Sequence, residues 1–290
     1  MTADRVDGPA AQPAAALVTV STRSQLLTVL GEYVMPRQEP VWTASLLYVL
    51  RELGAEEKTA RQAIMRAGAA GWIEAERLRR ETRWRLTPAG RDLLESGERR
   101  VYSLADDNQA WDGRWLMLFV TLPGDRSVAR RKLYGRLSWA GFGNLFPGLW
   151  LTPHAARESE ARSIISELAL TGQALAVVGT LAQLGLDGRE IVARSWNLGQ
   201  VAAQYQAMLD RFAALRPQAG DDALLTQVRL VSEWLQTPLM DPHLPAQLLP
   251  EDWIGHRAGR TFRELRSRWN DAAQARWEQV VRQTSRGTGS

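Results

Sequence analysis

The 290-residue chain contains no cysteine, which excludes disulfides, thiolate zinc sites and cysteine nucleophiles and fits a reducing compartment. Lysine is nearly absent as well. Only Lys58 and Lys132 occur, so almost every cation is an arginine. The three histidines, His154, His243 and His256, lie far apart and lack metal-ligand spacing. No apolar run approaches the roughly 18 residues of a membrane span. The N-terminal segment carries Asp4 and Asp7 where a secretory signal would be basic. These absences predict a cytoplasmic protein that does not engage membranes. There is no Gly-Lys pair, hence no P-loop, and no Gly-x-Ser-x-Gly elbow. Gly141, Gly143 and Gly148 in "GFGNLFPG" miss the dinucleotide spacing and are read as turn residues. The acid pairs Asp106/Asp107, Asp221/Asp222 and Glu251/Asp252 sit where helix caps belong. The expectation is a protein that is not an enzyme, with no catalytic residue, no metal and no cofactor.

What is present is a globular composition, 45% hydrophobic and 23% charged, with a formal net charge of +4. Arginine suits bidentate contact with phosphate or guanine, but a GC-rich genome produces the same bias, so placement has to decide. Twelve tryptophans are many for this length. Trp72, Trp115 and Trp150 read as core, whereas Trp139, Trp253 and Trp269 could wall an aromatic pocket.

Residues 1–20 read as a flexible arm and 284–290 as a flexible tail. Between 21 and 104 the pattern is that of a winged helix-turn-helix. Ser21 or Thr22 caps a helix bearing Leu26, Leu27, Leu30 and Val34, which Pro36 ends; Thr43 caps a second, which Gly54 stops. A third runs from about Glu56 to Ala70 with Ala60, Ile64 and Ala67 inward. Trp72–Leu78 and Arg83–Thr87 can then pair as a hairpin, and Thr87-Pro88 starts a helix ending near Gly97. Residues 105–112 read as a linker opening a central domain, 105–196, of order β-α-β-α-β-β. Its strands are "RWLMLFVTL", "LWLT", "ALAVVGTL" and "EIVARSW", with "NLFPGLWLT" hiding a hairpin. A ferredoxin-like α/β sandwich fits best, so the fold class is α+β. Residues 197–283 read as a helical domain with stripes at Val201–Phe212 and Leu224–Leu235, and a long helix carrying Phe262, Leu265, Trp269, Ala272 and Trp277.

The strongest chemical constellation is basic. Lys58, Thr59, Arg61, Gln62 and Arg66 fall on the outer side of the third helix, and Arg77, Arg79, Arg80, Arg83 and Arg85 surround the hairpin. Arg and Gln have the fork geometry for guanine and adenine edges, and wing arginines contact phosphate or a narrow minor groove.

Several segments together resemble the PaaX family, repressors of phenylacetic acid catabolic operons. They are "LLTVLGEYV", "KTARQAIMRAGAAGWIEAERLRRETRWRLTPAGRDLL", "WDGRWLMLFV", "RRKLYGRLSWAGFGNLFPGLWLTP" and "DPHLPAQLLPEDWIG". The likeness extends from about Arg23 to Val281. It implies a winged helix, a Cas2-like ferredoxin fold and a helical C-terminal part. It further implies a homodimer on palindromic double-stranded operator DNA, released by an acyl-CoA effector such as phenylacetyl-CoA. The DNA-reading roles then fall on Lys58, Thr59, Arg61, Gln62, Arg66 and the wing arginines. The resemblance assigns no effector residues. An acyl-CoA needs cations beside an apolar aromatic pocket, which points to Arg130, Arg131, Lys132, Arg136 and Trp139, closed over by Trp253, His256 and Arg257. Nuclease chemistry is not implied, because the first central strand ends in Thr121 and Leu122 where Cas2 would carry a metal-binding Asp. The alternatives are an RNA- or nucleoprotein-binding sheet, a regulator of another acyl-CoA pathway, and an acyl-CoA-processing enzyme with an appended DNA domain.

Overall fold

The computed structural model describes residues 20–78, 81–103, 111–122, 127–182, 184–236 and 241–286. The expected arm (1–20), the wing-tip residues Arg79 and Arg80, most of the expected linker and the end of the tail lie largely outside these.

Ser21 accepts the Ser24 amide at 3.2 Å and opens α1 (Thr22–Val29), which continues as a π-helical turn (Leu30–Val34). β1 (Val41–Trp42) leads into α2 (Thr43–Glu52). Thr43 does not cap α2, contrary to expectation. It is the first helical residue, and its hydroxyl donates to the Thr82 carbonyl and accepts the Trp84 indole N–H, both at 2.9 Å. Gly54, at φ +97°, makes the turn into α3 (Glu57–Ala69). β2 (Ile73–Leu78) and β3 (Glu81–Leu86) pair antiparallel from Ile73↔Leu86 to Leu78↔Glu81, and the sheet order is β1-β3-β2. The order through this region is thus α-β-α-α-β-β. α4 (Pro88–Ser103) runs past the expected stop at Gly97, which is internal to it.

The central sheet contains β4 (Arg114–Val120), β5 (Gly143–Phe146), β6 (Leu149–Thr152) and β7 (Ala174–Thr180) in the antiparallel order β5-β6-β4-β7. With α5 (Ser127–Trp139) and α6 (Glu158–Glu167) the order is β-α-β-β-α-β, so the hairpin in "NLFPGLWLT" is real. The expected strand "EIVARSW" is instead helix α7 (Gly188–Ser195). Asp187 and Glu190 form a capping box there, at 2.8 and 2.9 Å, and a short apolar run cannot by itself outvote such a start signal.

Alternation along β4 splits two cores. Leu116, Leu118 and Val120 bury against Leu133 and Leu137 of α5 and Ile164 and Ile165 of α6. On the other face, Trp115 buries against α7, α8 (Leu198–Phe212), the end of α9 (Asp221–Trp234) and the start of α10 (Ile254–Arg286). A third core fills the N-terminal region, and it is shared. Leu224, Leu225 and Val228 of α9 and Ala273, Trp277 and Val280 of α10 pack with Leu26, Tyr33, Leu46 and Ile64. The α10 stripe uses Ala273, not Ala272, because the row 262, 265, 269, 273, 277, 280 keeps helical spacing. The C-terminal helices therefore complete the N-terminal core.

Candidate nucleic-acid interface

α3 is a two-faced helix. Ala60, Ala63, Ile64 and Ala67 are buried, while Lys58, Thr59, Arg61, Gln62, Met65 and Arg66 are exposed, Met65 at 62%. What anchors α3 is the base of the wing. A side chain at Gly68 would meet the Trp84 ring at 2.9 Å, so only glycine lets the hairpin lie this close. Trp84 is fixed in turn by its bond to Thr43, so α2, α3 and β3 meet at one indole.

The exposed cations are not all unpaired. Arg61 donates from Nε and Nη2 to one oxygen of Glu57, at 3.0 and 2.8 Å, and Arg51 reaches the other at 3.4 Å. These arginines hold the Glu57 carboxyl below the usual carboxylate range. Arg66 donates to the Gln62 carbonyl oxygen at 3.2 Å. In the wing, Glu76 takes Arg85 Nε at 2.8 Å and Arg83 at 3.1 Å, and both lower its pKa, Arg85 more. Arg83 also lies 5.3 Å over the Trp42 ring, so it is engaged with the protein and is less available to DNA than sequence position implies. Arg77 is exposed on β2. Arg79 and Arg80 lie outside the described residues.

The eight residues expected to form one effector cleft are not brought together. Arg130, Arg131 and Lys132 are exposed on α5, and Arg136 pairs with Glu167 at 2.6 Å. Trp139 is 53% exposed on the same helix. Trp253 is buried in the core on the opposite face of the sheet, edge-on to Tyr205 at 6.2 Å; Trp269 is buried there too. His256 follows it, and Arg257 donates to Gln206 at 3.0 Å. The two segments pack on opposite faces of the central sheet and share no cleft.

Reasoning from sequence missed a half-buried polar joint. His154, beyond β6, bonds through Nε2 to the His243 carbonyl at 2.6 Å, and Arg157 donates to the Ala140 carbonyl at 2.7 Å. Asp241 is half-buried, accepting Tyr205 Oη at 2.5 Å and the His243 amide at 2.7 Å. Burial raises the Asp241 pKa and lowers that of His154. The Asp241-Pro242-His243 segment was visible in the sequence, but its partners 36 and 89 residues away were not. Among the described residues no group of three or more His, Asp or Glu could hold a metal ion. No described helix is long and apolar enough to cross a membrane.

Family models for the PaaX-like protein, the PaaX protein central Cas2-like domain and the PaaX-like protein C-terminal domain match residues 21–90, 108–191 and 196–279. The chain belongs to the PaaX family. Within that family it is 29% identical over 259 residues to the transcriptional repressor PaaX of Escherichia coli strain K12, covering 85% of this chain and 80% of the relative. A solved structure, the uncharacterized protein Rv0674 from Mycobacterium tuberculosis, shares the fold at TM-score 0.59 and 23% identity, over 90% of this chain and 99% of the other. The α+β architecture with a Cas2-like centre is thus that of the family.

Proposed function

We propose that this protein is a DNA-binding transcriptional repressor of an aromatic, phenylacetate-type catabolic operon. The observation that carries the reading is the exposed face of α3, with Lys58, Arg61, Gln62 and Arg66 outward in winged-helix connectivity, in a chain 29% identical to a transcriptional repressor. Such a helix reads base edges in the major groove while the wing, with Arg77, Arg79 and Arg80, holds backbone. A palindromic operator calls for a homodimer. β7 supports one: it is an edge strand without charge or proline, and Leu175, Val177 and Val178 are 62%, 41% and 39% exposed. Native edges of this kind are covered by pairing, and β7 can pair antiparallel with its copy. Release comes from an acyl-CoA effector, phenylacetyl-CoA first among them. The α5 cations with Trp139 and the Trp253–Arg257 group are separate candidate sites for it on opposite faces of the sheet.

Gel-shift titration of a cognate duplex with phenylacetyl-CoA, phenylacetate and CoA tests the reading. Specific binding released by the thioester alone is expected. Absence of specific binding removes the repressor assignment; binding that survives all three compounds assigns a different effector. The RNA-binding alternative has less support. The exposed sheet aromatics Phe119 and Phe146 sit on β4 and β5, which β6 separates, so no two-strand stacking platform forms.

A further inference from the structure

An acidic residue on a DNA-facing surface is electrostatically costly, because phosphate repels it. Glu57 opens α3 beside its outward-facing cations, one turn before Arg61 and half exposed, with side-chain exposures of 57% for Arg61 and 46% for Glu57. The geometry of the pair is one-sided. Nε and Nη2 of Arg61 both converge on Oε1 of Glu57, at 3.0 and 2.8 Å. That engages the inner edge of the guanidinium. Nη1 and the second Nη2 hydrogen have no partner among the described residues, and they form the end-on fork that matches O6 and N7 of guanine. Glu57 is itself restrained, since its other oxygen meets Arg51 Nη1 at 3.4 Å from the end of α2. The row Arg51–Glu57–Arg61 thus spans the turn of the helix-turn-helix and leaves one donor pair facing outward.

We propose that Glu57 is a positioning residue that presents Arg61 as a guanine reader; this rests on the DNA-binding reading above. A long arginine loses rotamer freedom when it docks on a base, and a carboxylate that pre-orders it removes part of that loss in advance. The same carboxylate repels phosphate, so it lowers affinity for DNA in which no guanine meets Arg61. Glu57 therefore increases selectivity and not affinity in general. The simpler role for an acid here is to complement the N-terminal end of α3, and that role makes no demand on base preference.

The test is selection from a randomised duplex pool with the wild-type chain, Glu57→Gln, Glu57→Ala and Arg61→Ala, followed by competition binding at each position. The wild type should select a guanine whose preference vanishes in Arg61→Ala. Both Glu57 variants should relax discrimination at that same position by about tenfold, while binding unrelated DNA more tightly than the wild type. Glu57 variants that keep the guanine preference, or that tighten selected and unrelated duplexes equally, overturn the proposal and leave Glu57 as a helix-end acid. A wild type that selects no sequence removes the repressor assignment itself, which is a different failure.

Discussion

Trp277→Ala should destabilise the N-terminal region that carries α1 to α3, although Trp277 lies more than 200 residues from α1 in sequence. Its side chain is 1% exposed and its ring is 5.6 Å from Tyr33, inside the core shared by α1, α2, α3, α9 and α10. Truncating a buried tryptophan costs about 3–5 kcal/mol through lost transfer energy and the cavity left behind. Total stability is of order 5–15 kcal/mol, so a large share would go. The melting midpoint should fall by about 10 °C, taking roughly 2–4 °C per kcal/mol for a chain of this size. Polar ties should fail in the same transition, among them Ser45–Thr284 at 2.7 Å and the Arg266 bonds to Glu32 at 2.9 and 3.0 Å. Urea unfolding read by far-ultraviolet dichroism, in parallel with DNA binding at the same urea concentrations, measures both. If DNA binding persists after the helical signal has dropped, or if a fragment of residues 20–103 folds and binds DNA as the whole chain does, the shared-core argument is wrong.

Three further outcomes follow from named contacts. Arg276→Met removes a guanidinium that bonds Asp221 at 2.8 and 3.1 Å and Tyr48 at 2.8 Å, and should cost about 1–3 kcal/mol in chemical denaturation; an unchanged midpoint would show that the tie between α10 and α2 is idle. His154 has a pKa held below its ordinary 6.5, first by burial and then by Arg157, so the unfolded chain binds a proton that the folded one resists. Stability at this locus should be lost as pH falls below about 6.5. His154→Gln, which keeps a donor for the His243 carbonyl, should flatten that slope, whereas nearby Asp241, raised by burial, acts in the opposite sense in both proteins. Arg77→Ala should weaken binding to all duplexes alike and lower the log–log salt slope by about 1; a loss confined to the cognate site would make Arg77 a base reader.

Local signals made much of the fold legible. The Ser21 cap, the Gly54 stop, the period of Ala60, Ile64 and Ala67, and the apolar run of β4 each act over one or two turns of chain. The elements they specify appear where those signals stand. The outward set on α3 was likewise readable, because helical spacing alone separates Lys58, Arg61, Gln62 and Arg66 from the buried row. Where two local signals competed, as in "GREIVARS", the capping box won over the apolar run, and a strand expectation became a helix. Tertiary structure alone decided three things, each requiring contact between distant segments. It merged the N-terminal and the C-terminal helices into one core, because α9 and α10 supply the apolar faces that α1 and α2 leave unfilled. It separated the α5 cations from Trp253, because successive side chains of β4 point to opposite faces and each segment followed its own face. And it set the availability of the arginines: Arg61 and Arg83 are equally basic in the sequence, but one presents a fork to solvent from the grip of Glu57, and the other is held over Trp42 and against Glu76. Charge is a property of the residue, whereas the direction of its donors depends on the neighbours that folding provides.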